Sequence, residues 1–405
     1  MDRDRRFALL AEAAADDREH GLPGRRRLQE GPVGIRPVRI PGRGVTTLMR
    51  VMLTNACSLS CGYCPMFRGG AIRRTALSPE EVARTFMESH RAGVAQGLFL
   101  TSGVPGRPAA AVDRMLAALE ILRRREGFRG YVHVKLLPGV QRDQVIEATK
   151  LATRVSVNLE GPRDDVVRGL AREKDLSGDL LPALTLAGTL SRQARLEGRP
   201  WRAAAAGTTT QFVVGAQGEA DSEILGLVAR LEGQGLLHHA HFSAFQPVAG
   251  TPMEGVAPTP AAREARLYQA EHLLRQYGFA PGELPFDKAG NLPLQQDPKM
   301  AWALAHPERF PVEALRAPYE GLLRVPGIGP AGARKLIAER RRTVLRGRED
   351  LKRLGIDIDR ADYFLTLGGR RLATRPPAEQ LSLWVPGGHL PSVVWRTASP
   401  PCAYR

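Results

Sequence analysis

Cys57, Cys61 and Cys64 stand in Asn55-Ala-Cys-Ser-Leu-Ser-Cys-Gly-Tyr-Cys-Pro65, a CxxxCxxC spacing that follows the strand-like run 48–53. Thiolates grip soft metal centres. Three at this spacing hold an iron-sulfur cluster by three corners and leave the fourth iron open to a small molecule. A CxxC alone fits zinc or a redox dithiol equally well; the longer motif is far more restrictive, and a zinc site short of its fourth ligand is the alternative that remains. Only Cys402 lies outside the motif, which excludes an intrachain disulfide framework once the three are engaged and fits a reducing compartment.

The rest of the chain is long enough, at 405 residues, for two or three domains. Its 43% hydrophobic and 25% charged residues are ordinary for a globular protein, and no run approaches the roughly 20 apolar residues that span a bilayer. The early Phe7-Ala-Leu-Leu-Ala-Glu-Ala-Ala-Ala15 run, broken by Glu12, reads as a short amphipathic helix and not as a secretion signal, so a cytoplasmic location is expected. After the cysteine loop, strand-like and helical segments alternate, the pattern of parallel strands joined by crossover helices. Ser78-Pro-Glu-Glu81 opens a helix with a small N-cap and proline in the first turn. Strands are expected at 97–102, 131–136, 154–159, 209–214 and 239–245, and helices at 112–125, 145–151, 180–196, 221–231 and 260–277. Counted from Thr47, these make six strand-helix units.

The cysteine motif, with Tyr63 before its last cysteine, resembles that of the radical SAM enzymes. The resemblance implies a 4Fe-4S cluster, S-adenosylmethionine bound to its open iron, and a 5'-deoxyadenosyl radical; it also implies an open, partial (β/α)6 barrel, and six units match that number. In such barrels the C-terminal strand ends form the active face. On the resemblance, Tyr63 and the loop after the fifth strand, at Gly215, meet the adenine, and Thr101, Ser102 and Gly103 meet the methionine amino group. Asn158 and Glu160 are expected on one face of a strand, like the pair that binds ribose hydroxyls in biotin-synthase-like members. Phe245 and Pro247, in Phe245-Gln-Pro-Val-Ala-Gly-Thr-Pro252, resemble the adenine-flanking loop, and the basic group Arg168, Arg172 and Lys174 is in reach of the methionine carboxylate. His238, His239 and His241 lack the cysteine or carboxylate companions of a metal site.

The net charge of +16 is uneven, with 15 Lys and Arg against 7 Asp and Glu between Arg316 and Arg375. A polyanion is the natural partner of such a stretch. Within it, Tyr319-Glu-Gly-Leu-Leu-Arg-Val-Pro-Gly-Ile-Gly-Pro-Ala-Gly-Ala-Arg-Lys-Leu-Ile-Ala-Glu-Arg340 places two helical segments around Pro326-Gly-Ile-Gly329 and resembles a DNA-binding helix-hairpin-helix. Gly327, Gly329 and Gly332 allow close approach, Ile328 anchors the turn, and Arg334 and Lys335 follow on the second helix, whose first NH groups suit a phosphate. Such a grip reads backbone and not bases. A fainter second copy follows in 351–364.

Taken together, Leu53-Thr-Asn-Ala-Cys57 with Cys61 and Cys64, Leu98-Phe-Leu-Thr-Ser-Gly103, Val155-Ser-Val-Asn158, Leu284-Pro-Phe-Asp287 and Val325-Pro-Gly-Ile-Gly329 resemble a prokaryotic family of radical SAM proteins described as DNA modification or repair proteins. The resemblance implies DNA as partner, with RNA as the alternative, an electron donor, and an association with a uracil-DNA-glycosylase-like protein. The expected organisation is a basic extension (1–46), the α/β partial barrel (47–278), a loop-rich connector (279–311), a small all-α helix-hairpin-helix domain (312–372) and a tail (373–405). One spare cysteine is too few for a sacrificial second cluster or a paired-cysteine methyl relay, which leaves hydrogen abstraction from a nucleotide. A non-catalytic, cluster-bearing DNA-binding sensor or recruiter is the rival of another class.

Overall fold

The computed structural model describes residues 1–14, 33–40 and 44–374; the tail with Cys402 lies outside them. The elements run α1 (Arg3–Ala13), β1 (Ile35–Ile40), β2 (Gly44–Met52), α2 (Pro79–Arg91), β3 (Gly97–Thr101), α3 (Pro108–Glu120), β4 (Tyr131–Leu136), α4 (Arg142–Leu151), β5 (Arg154–Val157), α5 (Asp164–Leu170), α6 (Leu181–Leu196), β6 (Thr208–Val214), α7 (Asp221–Gly233) and β7 (His239–Ala244). They continue with α8 (Ala261–Tyr277), α9 (Pro298–Ala305), β8 (Val312–Glu313), α10 (Tyr319–Arg324), α11 (Pro330–Glu339), α12 (Arg348–Arg353), α13 (Ile358–Ala361), β9 (Leu365–Leu367) and β10 (Arg370–Arg371). The chain divides into two compact units, one made of Met1–Glu219 and Leu231–Thr259, the other of Ala220–Arg230 and the described residues from Pro260 onward.

The first unit holds a curled seven-stranded sheet in the order β1 to β7. From β2 to β7 every neighbour is parallel, so the six expected strands are present in sequence order. β1 pairs antiparallel with β2 and was not expected: Ile35-Arg-Pro-Val-Arg-Ile40 carries a proline and two arginines, which an edge strand tolerates and a central one does not. Along β3 to β7 one set of alternate side chains is Leu98, Leu100, Val132, Val134, Val155, Val157, Phe212, Val214, Ala240 and Phe242, all essentially inaccessible. Helices α2, α3, α4 and α6 form a consecutive layer, and α4 and α6 contact the strands directly. The opposite, concave set is polar and includes Arg50, His133, Lys135, Arg154, Ser156, Thr209, Gln211, His241 and Ser243. A barrel closed around a core would fill that side with branched apolar residues.

In the second unit α10 and α11 form one helical hairpin, and α12 and α13 a shorter one. The expectation of an all-α module is corrected by a small sheet in the order β10-β9-β8. The Glu313 carboxylate fixes it by accepting the NH groups of Gly368 and Gly369 at 3.0 and 2.9 Å. Two- and three-residue strands leave no periodicity for a sequence pattern to show.

The entry into α2 is a full capping box: Ser78 Oγ accepts the Glu81 NH at 3.2 Å, and the Glu81 carboxylate accepts the Ser78 NH at 2.8 Å. Arg6 of α1 holds the same carboxylate and keeps its pKa below the usual carboxylate range. A lowered carboxylate pKa stabilises the fold above its unfolded value, so this contribution is present at neutral pH and is lost as the pH falls through the depressed value. Ser78→Ala is expected to destabilise the protein by about 1 kcal/mol, read as a lower urea midpoint at unchanged slope.

Candidate active site

The cysteine loop has little apolar content of its own and is held by polar contacts from several directions. At its base Asn55 donates Nδ2 to the Arg73 carbonyl at 2.9 Å and accepts the Thr75 NH at 2.8 Å. The Arg74 guanidinium then reaches four loop carbonyls: Nη1 donates to Asn55 and Met66 at 2.6 and 2.9 Å, and Nη2 to Phe67 and Gly70 at 2.8 and 3.1 Å. Its planar fork suits this task, and a lysine would offer a single point charge. On the other side Ser60 donates its NH and hydroxyl to Glu173 Oε2 at 3.1 and 2.6 Å. The Gly62 NH reaches the Leu170 carbonyl at 2.8 Å, and the Met253 NH returns to the Gly62 carbonyl at 3.1 Å.

Thr101, Ser102 and Gly103 lie directly under this loop. The Gly103 NH donates to the Thr54 carbonyl at 2.7 Å, and a Cβ on Gly103 would stand 2.3 Å from the Ala56 carbonyl oxygen, so only glycine fits. Cys61 is buried, and Cys57 and Cys64 are partly so. The three thiols influence one another, and burial pushes Cys61 up and Cys64 up to about 12. Without metal these two are therefore neutral thiols at pH 7, and binding a soft metal centre must displace their protons. Among the described residues no three His, Cys, Asp or Glu side chains converge as the ligands of a single metal ion.

Behind the loop is a buried charged knot. Lys174 Nζ donates to Glu160 Oε1 at 2.6 Å and to the Tyr63 hydroxyl at 3.2 Å, and it lies within hydrogen-bond reach of the Cys61 thiol. Lys174 and Glu160 are both buried. Burial opposes the ammonium, but Cys61, Glu160 and Tyr63 outweigh it and hold the Lys174 pKa well above the usual lysine value. Glu160 sits at φ 65, in the left-handed region that few non-glycine residues adopt, and bridges to Phe212. Because β5 ends at Val157 and Glu160 turns left-handed, the simple alternation expected to align Asn158 with Glu160 does not continue. Asn158 Nδ2 instead points to Gln211 Oε1 at 3.5 Å.

The remaining expected residues are also placed. Gly215 donates its NH to the buried Glu219 carboxylate. Phe245 is buried with Leu170, Val213 and Met253, and Tyr63 packs against this group; Pro247 is partly exposed beyond it. Arg168 and Arg172 are exposed, so Lys174 alone of that basic trio turns into the site. His239 and His241 meet edge to face at 4.7 Å.

In the second unit Ile328 is buried, Gly327 takes φ 81, and a Cβ there would stand 2.2 Å from the Asp357 carbonyl oxygen. Gly329 caps α11, Gly332 is buried against Ile356, and Arg334 and Lys335 are exposed on α11, with Arg334 donating to the Tyr319 hydroxyl at 3.1 Å. The connector, opaque in sequence, buttresses this turn: buried Lys299 donates to the Ile328 carbonyl at 2.6 Å, and the Arg324 guanidinium lies 3.8 Å from the Phe279 ring centre. Sequence reasoning missed Arg74, Glu173, Glu219 and Lys299; their partners are backbone groups, which leave no residue pattern.

Arg74→Ala is expected to lower stability by about 3 kcal/mol and to speed maleimide labelling of Cys61 in metal-free protein, with little rescue by Arg74→Lys. Lys174→Met strands the buried Glu160 carboxylate and is expected to cost about 3–5 kcal/mol in chemical denaturation; adding Glu160→Gln recovers most of it.

Solved structures give weak likenesses. They include a maturase of the FeFe-hydrogenase, HydG (14% identity, 56% of this chain and 49% of that one, TM-score 0.42), and methylornithine synthase, PylB (15%, 56% and 61%, 0.41). A third is the radical S-adenosylmethionine methyltransferase TsrM from Kitasatospora setae (16%, 51% and 38%, 0.38). This chain spans between about two fifths and three fifths of their lengths, and at such identities and TM-scores the likeness assigns no activity. No curated protein sequence matches the chain. Residues 51–188, which run from β2 through the cysteine loop and Lys174 into α6, match the Radical SAM superfamily. The chain thus carries a Radical SAM superfamily domain, and the protein is an enzyme of the kind that uses a 4Fe-4S cluster and S-adenosylmethionine.

Proposed function

We propose that Cys57, Cys61 and Cys64 hold the 4Fe-4S cluster and that the protein acts on DNA in modification or repair. The observation that carries the first part is the cysteine loop, clamped by Arg74 and lying on the turn that ends β3, with three mutually sensed thiols that do not converge on one point. Three thiolates on three irons of a cluster need that separation; the ligands of one zinc ion do not. When bound, the cluster supplies the electron that splits the sulfonium of S-adenosylmethionine to a 5'-deoxyadenosyl radical.

The chain's own residues then bind and orient. Lys174 offers an ammonium to the methionine carboxylate, Glu160 a carboxylate to ribose hydroxyls, and the turn at Thr101, Ser102 and Gly103 offers carbonyl oxygens to the methionine amine. Tyr63 and Phe245 share one apolar group, which with Gly215 and Pro247 suits an adenine. For DNA the support is the hairpin of α10 and α11, read as a helix-hairpin-helix: a buried Ile328, a Gly327 at positive φ, and exposed Arg334 and Lys335 beside the start of a ten-residue helix. A target base inside a duplex would have to be extruded first.

The test is 5'-deoxyadenosine release by anaerobically reconstituted, reduced protein with duplex DNA, single-stranded DNA, uracil-containing DNA and RNA. Stimulation by one polymer is expected and names the substrate class; stimulation by RNA alone would replace the DNA reading. Cys61→Ala should abolish release and leave DNA affinity within about twofold. Gly329→Glu should weaken DNA binding roughly tenfold, about 1.4 kcal/mol, while leaving polymer-independent cleavage intact.

A further inference from the structure

The concave side of the sheet carries its own chemistry. Lys135 Nζ of β4 reaches Gln211 Oε1 of β6 at 3.4 Å, past the intervening β5, which is feasible only across the concave face. Asn158 donates to the same oxygen, and Gln211 Nε2 donates to Ser243 Oγ at 2.8 Å. Register orders these groups in depth. Arg50 and Arg154 share a row with Phe99 and His133; Lys135 and Thr209 align with Ser156 one row higher; Gln211 is higher again.

Positive charge therefore lies toward the N-terminal strand ends, and amides lie toward the C-terminal ends where the cysteine loop stands. None of the residues of β2 to β7 is Asp or Glu. Arg50, Lys135 and Arg154 each keep part of their surface exposed. Two buried polar atoms, Asn158 Oδ1 and Thr209 Oγ1, have no hydrogen-bond partner among the described residues. Buried groups left so in a folded protein call for a reason, and a ligand that completes them is one. The Arg50 guanidinium lies 4.8 Å from the Phe99 ring centre, which adds an aromatic wall at the cationic end.

We propose that this face binds a phosphorylated nucleotide unit, its phosphate on Lys135, Arg50 and Arg154 and its polar base edge on Asn158 and Gln211. Cations that form charge-assisted bonds suit the phosphate, and paired amides that both donate and accept suit a base edge. The orientation directs the base and sugar toward the cysteine loop and admits either a free nucleotide or the terminal nucleotide of a DNA strand. It rests on reading the first unit as the reactive domain, and not on the hairpin touching DNA.

The experiment measures calorimetric binding to the full chain. Each deoxynucleoside 5'-monophosphate is compared with its nucleoside, and a 5'-phosphorylated hexanucleotide with its unphosphorylated form. The phosphate is expected to tighten binding at least about tenfold in one of the two comparisons, which also identifies the source. Lys135→Met and Arg154→Met should each abolish that preference, and Lys135→Arg should keep it; if Lys135→Met does not fold, Arg154→Met decides. No phosphate preference in either comparison, or a preference that survives Arg154→Met, overturns the proposal. Adenosylmethionine cleavage is followed in the same preparations: its absence beside intact phosphate-dependent binding would sink the radical reading and leave the nucleotide site standing.

Discussion

A loop that gathers three sulfurs has almost nothing apolar with which to fold, and in this protein a single guanidinium makes up the deficit. Arg74 collects carbonyls from both ends of the cysteine loop, and Asn55 ties the loop's first residue to the segment that carries Arg74. Everything else about the site is referred to that fixed loop: the turn after β3 lies beneath it at a distance only Gly103 permits, Glu173 and Leu170 dock on its flank, and Lys174 reaches it from behind. The cost of ordering some fifteen residues of irregular backbone is offset by charge-assisted hydrogen bonds in place of burial.

The sheet divides its labour by face. Alternation puts a dry, branched surface against the helices and a wet, basic one on the concave side, and both come from the same five- to nine-residue strands. The packing that stabilises the first unit thus makes no demand on the concave residues, which are left to carry chemistry. In the second unit the roles are reversed: the hairpin's central residue Ile328 is spent on the core, and its carbonyl is taken by Lys299, so what faces outward is a helix start and the basic side chains after it.

The six parallel strands were legible because each is a short apolar run separated by a helical period, and Ser78 because capping is written in side chains. The cysteine motif was legible for the same reason. Arg74, Glu173 and Lys299 were not, since a side chain that bonds to backbone has no partner residue to be noticed beside it. The Lys174–Glu160 pair fell between the two: both residues were singled out, yet their meeting depends on the left-handed turn at Glu160, which strand alternation does not foresee. β1 and the small β10-β9-β8 sheet escaped because one is an edge strand with proline and the other is too short to have a period.

The raised thiols of Cys61 and Cys64 bear on the life of the chain before any metal arrives. Disulfide formation proceeds through the thiolate, and at neutral pH almost none of the Cys64 sulfur is in that form. Three cysteines within eight residues would ordinarily oxidise against one another. The burial that raises their pKa values slows this reaction, so the newly folded chain is kinetically protected while it waits for its cluster.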